Sequence, residues 1–213
     1  MKRSLERQAL WNNLFDCLSL AYVLLVRVKV WWVMSFNKEE VGTRLVKAAY
    51  LEGDFLLSSG QRSRYYMDKY RFCTEPRLLR DLAIGLAGLL PEGITCLAGV
   101  ELGAVPLATA VSLETGLPFV IVRKGAKEYG TAKLIEGVLP ENAKIALIED
   151  VLTTAGQAIR AANLLVELGA SVERIVYVVN REQGAQENIA AAGFEGAALF
   201  SKTSLGIWND SYW

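Results

Sequence analysis

The stretch KIALIEDVLTTAGQAIRAANLL, residues 144–165, sets a short apolar run against two adjacent acids, Glu149 and Asp150. Two threonines and an Ala-Gly pair follow, and then an amphipathic run begins. A buried strand, a tight turn and a helix account for this order. Three further runs have the same character: ITCLAGV (94–100), PFVIVRK (118–124) and RIVYVVN (174–180). GAALF (196–200) adds a fifth, and helical stretches separate most of them. Near-continuous Val/Ile/Leu runs alternating with helices predict a parallel sheet covered on both faces. The expected fold class is therefore α/β, a doubly wound, mainly parallel, Rossmann-like sheet.

Smaller signals fill in the frame. FLLSSGQRSRYYMD (55–68) reads as a hairpin around a Ser-Gly turn, and TEPRLLRDLAIGLAGLL (74–90) as a helix capped by Thr74. Leu78, Leu82, Leu86 and Leu89 fall on one face of that helix. Gly116, Gly169 and Gly193 stand where helix C-termini are expected. Asn37, with Glu40 three residues on, predicts another helix start.

The first 33 residues differ from the rest. They open with basic residues and carry an apolar stretch, Leu14 to Val26, interrupted by Asp16 and followed by Arg27 and Lys29. No small-x-small cleavage site follows, and the uncharged core is too short for a membrane span. An interfacial amphipathic helix is the membrane-related alternative. The expectation is that the natural chain begins at Met34, so residues 1–33 form an extension outside the domain at 34–213.

Composition removes whole classes of chemistry. The 213-residue chain has no histidine, which excludes Ser-His and Cys-His nucleophile systems and the commonest zinc ligand. Lys plus Arg and Asp plus Glu both number 23, so no bulk electrostatic partner such as nucleic acid is called for. Three widely spaced cysteines suit a reducing, cytoplasmic setting. There is no GxxxxGK[ST] and no GxGxxG, so triphosphate and dinucleotide readings lose support.

In sheets of this kind, ligands bind beyond the carboxyl ends of the strands. That rule directs attention to residues 99–103, 123–133, 149–157 and 180–183. Glu149 and Asp150 close a strand, and the turn from Thr153 to Gln157 opens a helix with unpaired N–H groups. Such a helix start accepts a phosphate. Acids just upstream would repel that phosphate unless the ligand also carried hydroxyls or a metal. A phosphorylated sugar satisfies both ends. The plainer alternative is a strand ending in solvated acids, with Thr153 or Thr154 as an ordinary N-cap.

The segment IEDVLTTAG resembles the phosphoribosyl-pyrophosphate motif of the type I phosphoribosyltransferases, and the similarity runs from about Glu39 to Gly206. It is closest to the orotate phosphoribosyltransferases, which form orotidine 5′-monophosphate and pyrophosphate from orotate and phosphoribosyl pyrophosphate. LLSSGQRSRYYMD resembles that family's base-enclosing hairpin, GVELGAVPLA its pyrophosphate loop, and RKGAKEYGTAKLIEG its mobile catalytic loop. The resemblance implies a small hood over the core, from about 34–70 plus C-terminal residues, a requirement for Mg²⁺, and a homodimer with shared active sites.

Residue by residue, the resemblance implies that Arg123, Lys124, Lys127 and Tyr129 bind phosphoribosyl pyrophosphate. Glu149, Asp150, Val151, Leu152, Thr153, Thr154, Ala155, Gly156 and Gln157 do so from the turn. Lys127, Glu149 and Asp150 are the implied catalytic residues. Thr153, Arg181, Tyr66 and Met67 are the implied contacts for orotate. No side chain is implied as a direct metal ligand; the ion is held mainly by substrate, with water near Glu149 and Asp150.

Three positions depart from the family. Tyr129 stands where many relatives carry histidine, so it is expected to position pyrophosphate and transfer no proton. Ala155 stands where glycine is usual, and Gln157 where a small hydroxyl residue is common. Either Ala155 or Gly156 must supply a left-handed turn residue if one is needed. Two rivals stay open: a purine-base transferase, and a regulator that binds phosphoribosyl pyrophosphate without catalysis.

Overall fold

The structure is a computed structural model, and it describes residues 36–56, 62–125 and 134–207. The N-terminal extension, the tip of the hairpin, and Lys127, Tyr129 and Lys133 lie outside the described residues. Each apolar run is a strand. β3 (Cys96–Val100), β4 (Phe119–Val122), β6 (Lys144–Leu152), β7 (Ser171–Asn180) and β8 (Gly196–Ser201) lie parallel. A two-residue strand, β5 (Ile135–Glu136), pairs antiparallel with β4 and completes the order β5-β4-β3-β6-β7-β8. The sequence reading has no counterpart for β5. It returns the chain after the basic loop, and two residues carry no periodic signal.

Helices α3 (Pro76–Ala87), α4 (Ala104–Thr115), α5 (Gly156–Glu167) and α6 (Ala185–Ala191) flank the sheet, which is why the strands read as apolar on both faces. Ile145 and Leu147 pack with Ile175 and Tyr177 beneath Ala158, Ala161, Ala162 and Leu165 of α5. Ala146 and Ile148 have the opposite parity and are equally buried. The three expected C-terminal glycines all take positive φ, at 75°, 87° and 84°. That conformation is cheap only without a Cβ.

The capping expectation for α3 is corrected. Glu75 is the N-cap residue, and its carboxylate accepts from the N–H groups of Arg77 and Leu78. Thr74 instead ends the short helix α2 (Lys69–Cys73), where its hydroxyl donates to the Tyr70 carbonyl at 2.6 Å. Leu78, Leu82 and Leu86 are buried, whereas Leu89 lies just past the helix end.

The N-terminal part contains α1 (Lys38–Ala49) and the antiparallel hairpin of β1 (Tyr50–Leu56) and β2 (Arg62–Met67). Arg44 ties α1 to α3 through Asp81 at 2.5 Å and Glu75 at 3.5 Å. Gly42 of α1 faces the rings and methyls of Phe200 and Leu205, so the chain's C-terminal part meets its N-terminal part here. This arrangement brings the hairpin and α2 to the carboxyl end of β6.

Candidate active site

Glu149 and Asp150 are 7% and 2% exposed, and they are the buried charged side chains among the described residues. Burying two adjacent carboxylates is costly unless each has work for its oxygens. Alternation along β6 gives the two opposite parities, so adjacency in sequence does not force them into one spot. The Asp150 carboxylate reaches the start of α4, where a Cβ on Gly103 would collide with its Oδ2. Only a glycine leaves that space open. Val151 N donates to Asp150 Oδ1 at 2.6 Å, and Asp150 N donates to Glu149 Oε2 at 3.3 Å. Burial, together with the Asp150 charge, pushes the Glu149 carboxyl up to about 8.

Beyond the acids, the turn reaches α5. Thr153 and Thr154 are exposed, and Ala155 precedes the helix at φ 60°, in the left-handed region. Ala155, rather than Gly156, therefore takes the special conformation. Among the described residues, no side chain caps α5. Neither threonine serves as the ordinary N-cap, so the first amides of α5 face outward beside two hydroxyls. Asn188 of α6 donates to the Thr154 carbonyl at 3.0 Å and steadies the turn.

The basic loop begins where β4 ends. Arg123 lies 3.9 Å from Glu101 and 3.7 Å from Glu136, and Lys124 N donates to Glu101 Oε1 at 2.6 Å. A cavity of about 380 Å³ joins Arg123, Lys124 and Gln157 and adds Arg160, one turn into α5. The sequence reading passed over Arg160, although its i+4 spacing from Gly156 places it above the turn. The Glu101–Leu102 peptide at the head of α4 is cis.

Arg181 follows β7 and lies alongside the acid-bearing strand, its N–H donating to the Leu152 carbonyl at 2.9 Å. Its guanidinium donates to the Tyr65 hydroxyl at 2.5 Å and sits 5.0 Å from that ring's centre. Tyr65 in turn stacks on Tyr50. The expected pair Tyr66 and Met67 is divided by strand alternation. Met67 shares the buried face with Tyr65, while Tyr66 is 37% exposed on the other face against Phe55. Tyr65 is the aromatic neighbour of Arg181 that the sequence reading missed.

Lys69 was missed as well. Its ammonium lies 2.9 Å from Asp150 Oδ2, delivered by α2 from the hairpin side. Burial acts to lower this ammonium, but Asp150 and Glu149 outweigh it and the net direction is upward. The described chain thus gathers two acids, an uncapped helix start, an arginine fork and several cations at the carboxyl ends of the central strands. No described helix is long and apolar enough to cross a membrane.

No family model matches the sequence. The chain is 47% identical over 172 residues to the orotate phosphoribosyltransferase of Halobacterium salinarum, covering 81% of this chain and 98% of that protein. It is 46% identical over 153 residues to that of Methanocella arvoryzae, covering 72% and 87% respectively. Among solved structures it resembles Mycobacterium tuberculosis orotate phosphoribosyltransferase in complex with 5-phospho-alpha-D-ribosyl 1-diphosphate. That match has a TM-score of 0.69 and 27% identity over 79% of this chain and 98% of that one.

Proposed function

The chain belongs to the orotate phosphoribosyltransferase family, and on that premise we propose that it transfers the phosphoribosyl group of phosphoribosyl pyrophosphate to orotate. The products are orotidine 5′-monophosphate and pyrophosphate, a pentosyl transfer in pyrimidine nucleotide synthesis. The observation that carries this reading is the buried Glu149–Asp150 pair directly before an uncapped helix start. In it the carboxylates receive the ribose hydroxyls, and the amides of residues 153–157 receive the 5′-phosphate.

As the bond to pyrophosphate breaks, positive charge grows on the sugar ring and negative charge on the leaving oxygens. Glu149 and Asp150 stabilise the first. Arg123, Lys124 and Lys127 stabilise the second, with Tyr129 as a hydrogen-bond donor. Orotate's ring nitrogen completes the new bond as the C1–O bond to pyrophosphate breaks, its N–H proton leaving to solvent or to the departing pyrophosphate, and no covalent enzyme intermediate is needed. Arg181 pairs with the orotate carboxylate through its fork, with Thr153, Tyr66 and Met67 as the remaining contacts carried over from the family.

Two adjacent carboxylates supply hard oxygen donors that fit Mg²⁺, yet the nearest cation to Asp150 is already Lys69. This donor set suits an ion held chiefly by the diphosphate and diol of the substrate, with Glu149 and Asp150 reaching it through water. When bound, Mg²⁺ would supply neutralisation of charge on the diphosphate. The protein works as a cytoplasmic homodimer with shared active sites. An absorbance assay of orotate consumption with phosphoribosyl pyrophosphate and Mg²⁺ tests the function, with adenine, hypoxanthine and uracil as competitors. Turnover of orotate alone is expected; turnover of a purine instead would replace the reading.

A further inference from the structure

Lys69 belongs to none of the motifs that mark the site, yet it is clamped into it from three sides. Asp68, just before it, accepts from Tyr70 N at 3.1 Å and donates its own N–H to the Ala49 carbonyl at 2.8 Å. The start of α2 is thereby fixed to the end of α1. From that anchor the Lys69 side chain, about one third exposed, reaches the 4%-exposed Asp150 side chain at 2.9 Å. Gly103 closes the third side: a Cβ there would lie 3.0 Å from Lys69 Cε as well as meeting Asp150 Oδ2.

Asp150 Oδ1 therefore accepts from Val151 N, while the buried Oδ2 has the Lys69 ammonium as its ion-pair partner. A buried carboxylate that loses its close cation is left with an uncompensated charge and reorients or neutralises. We propose that Lys69 is a positioning residue for the sugar donor: it holds Asp150 in the orientation that receives the ribose hydroxyls. It also links the hairpin-side helix α2 to the strand that carries the acids. This inference rests on the reading of Glu149 and Asp150 as the diol site.

The test measures binding of phosphoribosyl pyrophosphate with Mg²⁺ by titration calorimetry, and steady-state KM for both substrates, in Lys69→Met, Lys69→Gln, Lys69→Arg and Gly103→Ala. Lys69→Met and Lys69→Gln are expected to weaken donor binding about tenfold and to leave the KM for orotate within about twofold. Lys69→Arg keeps the charge and restores donor binding to within about threefold. Gly103→Ala displaces Asp150 directly and reproduces the Lys69→Met signature. Wild-type donor affinity in Lys69→Met, equal losses for both substrates, or failure of Lys69→Arg to rescue would overturn the inference. Unfolding of both neutral variants would overturn it too, by making the contact a structural one. Donor binding is read without orotate, so a wild-type protein that binds donor but ignores orotate would sink the proposed function and leave this inference to its own result.

Discussion

Glu149→Gln separates the folding cost of the acid pair from its use. A carboxyl raised from 4.5 to about 8 is protonated in the free folded protein near neutrality but ionised in the unfolded chain. Its stabilising contribution is full below pH 4.5 and is lost as pH rises towards 8. At 1.36 kcal/mol per pH unit the loss has a ceiling of about 5 kcal/mol. Relaxation around the adjacent carboxylate and Lys69 brings the expected value nearer ~2 kcal/mol. Glutamine keeps the shape, keeps an acceptor for Asp150 N and never ionises. The difference in melting temperature between variant and wild type, both ligand-free, cancels the titrating groups that do not interact with Glu149. It should be near zero at pH 5 and grow in favour of the variant to roughly 3–10 °C at pH 8. Adding phosphoribosyl pyrophosphate with Mg²⁺ should then raise the melting temperature of the wild type and not that of the variant. A pH-independent difference, or a variant less stable at pH 8, refutes the argument.

Two further outcomes follow from the neighbours of the acids. Arg181→Ala should raise the KM for orotate by roughly 10–100-fold and that for the donor far less; Tyr65→Phe, which removes a hydrogen bond to a charged group worth about 1.5–3 kcal/mol, should do the same more mildly. Equal effects on both substrates would remove the assignment of Arg181. At Ala155, glycine relieves a left-handed conformation costing about 1 kcal/mol but loses a buried methyl worth about 0.8 kcal/mol, so Ala155→Gly should change stability by less than about 1 kcal/mol. Ala155→Val adds a β-branch to a 4%-exposed left-handed position and should cost more than about 2 kcal/mol in chemical denaturation. A tolerated valine would contradict the turn geometry.

The sheet was legible because each central strand is buried on both faces and so reads as an unbroken apolar run between turn residues. The acid pair was legible for the opposite reason, since charges at the end of such a run have no packing role. What escaped the sequence was long-range. Tyr65 meets Arg181 across 116 positions, and Lys69 of α2 meets Asp150 of β6. No local pattern encodes either contact. Parity would have helped with the first: if Met67 points inward on β2, Tyr65 does so too and Tyr66 does not. Two tyrosines side by side hid that choice. Thr74 was misread because Glu75 beside it can cap as well, and the winner was decided by α2 ending immediately before α3.

The division of labour between carboxylates and bare amides is tested most directly by a crystal structure of the protein soaked with phosphoribosyl pyrophosphate and Mg²⁺. The account predicts the ribose hydroxyls against Glu149 and Asp150, and the 5′-phosphate on the amides of residues 153–157. Density for the donor anywhere else, with that edge of the sheet left empty, would contradict it.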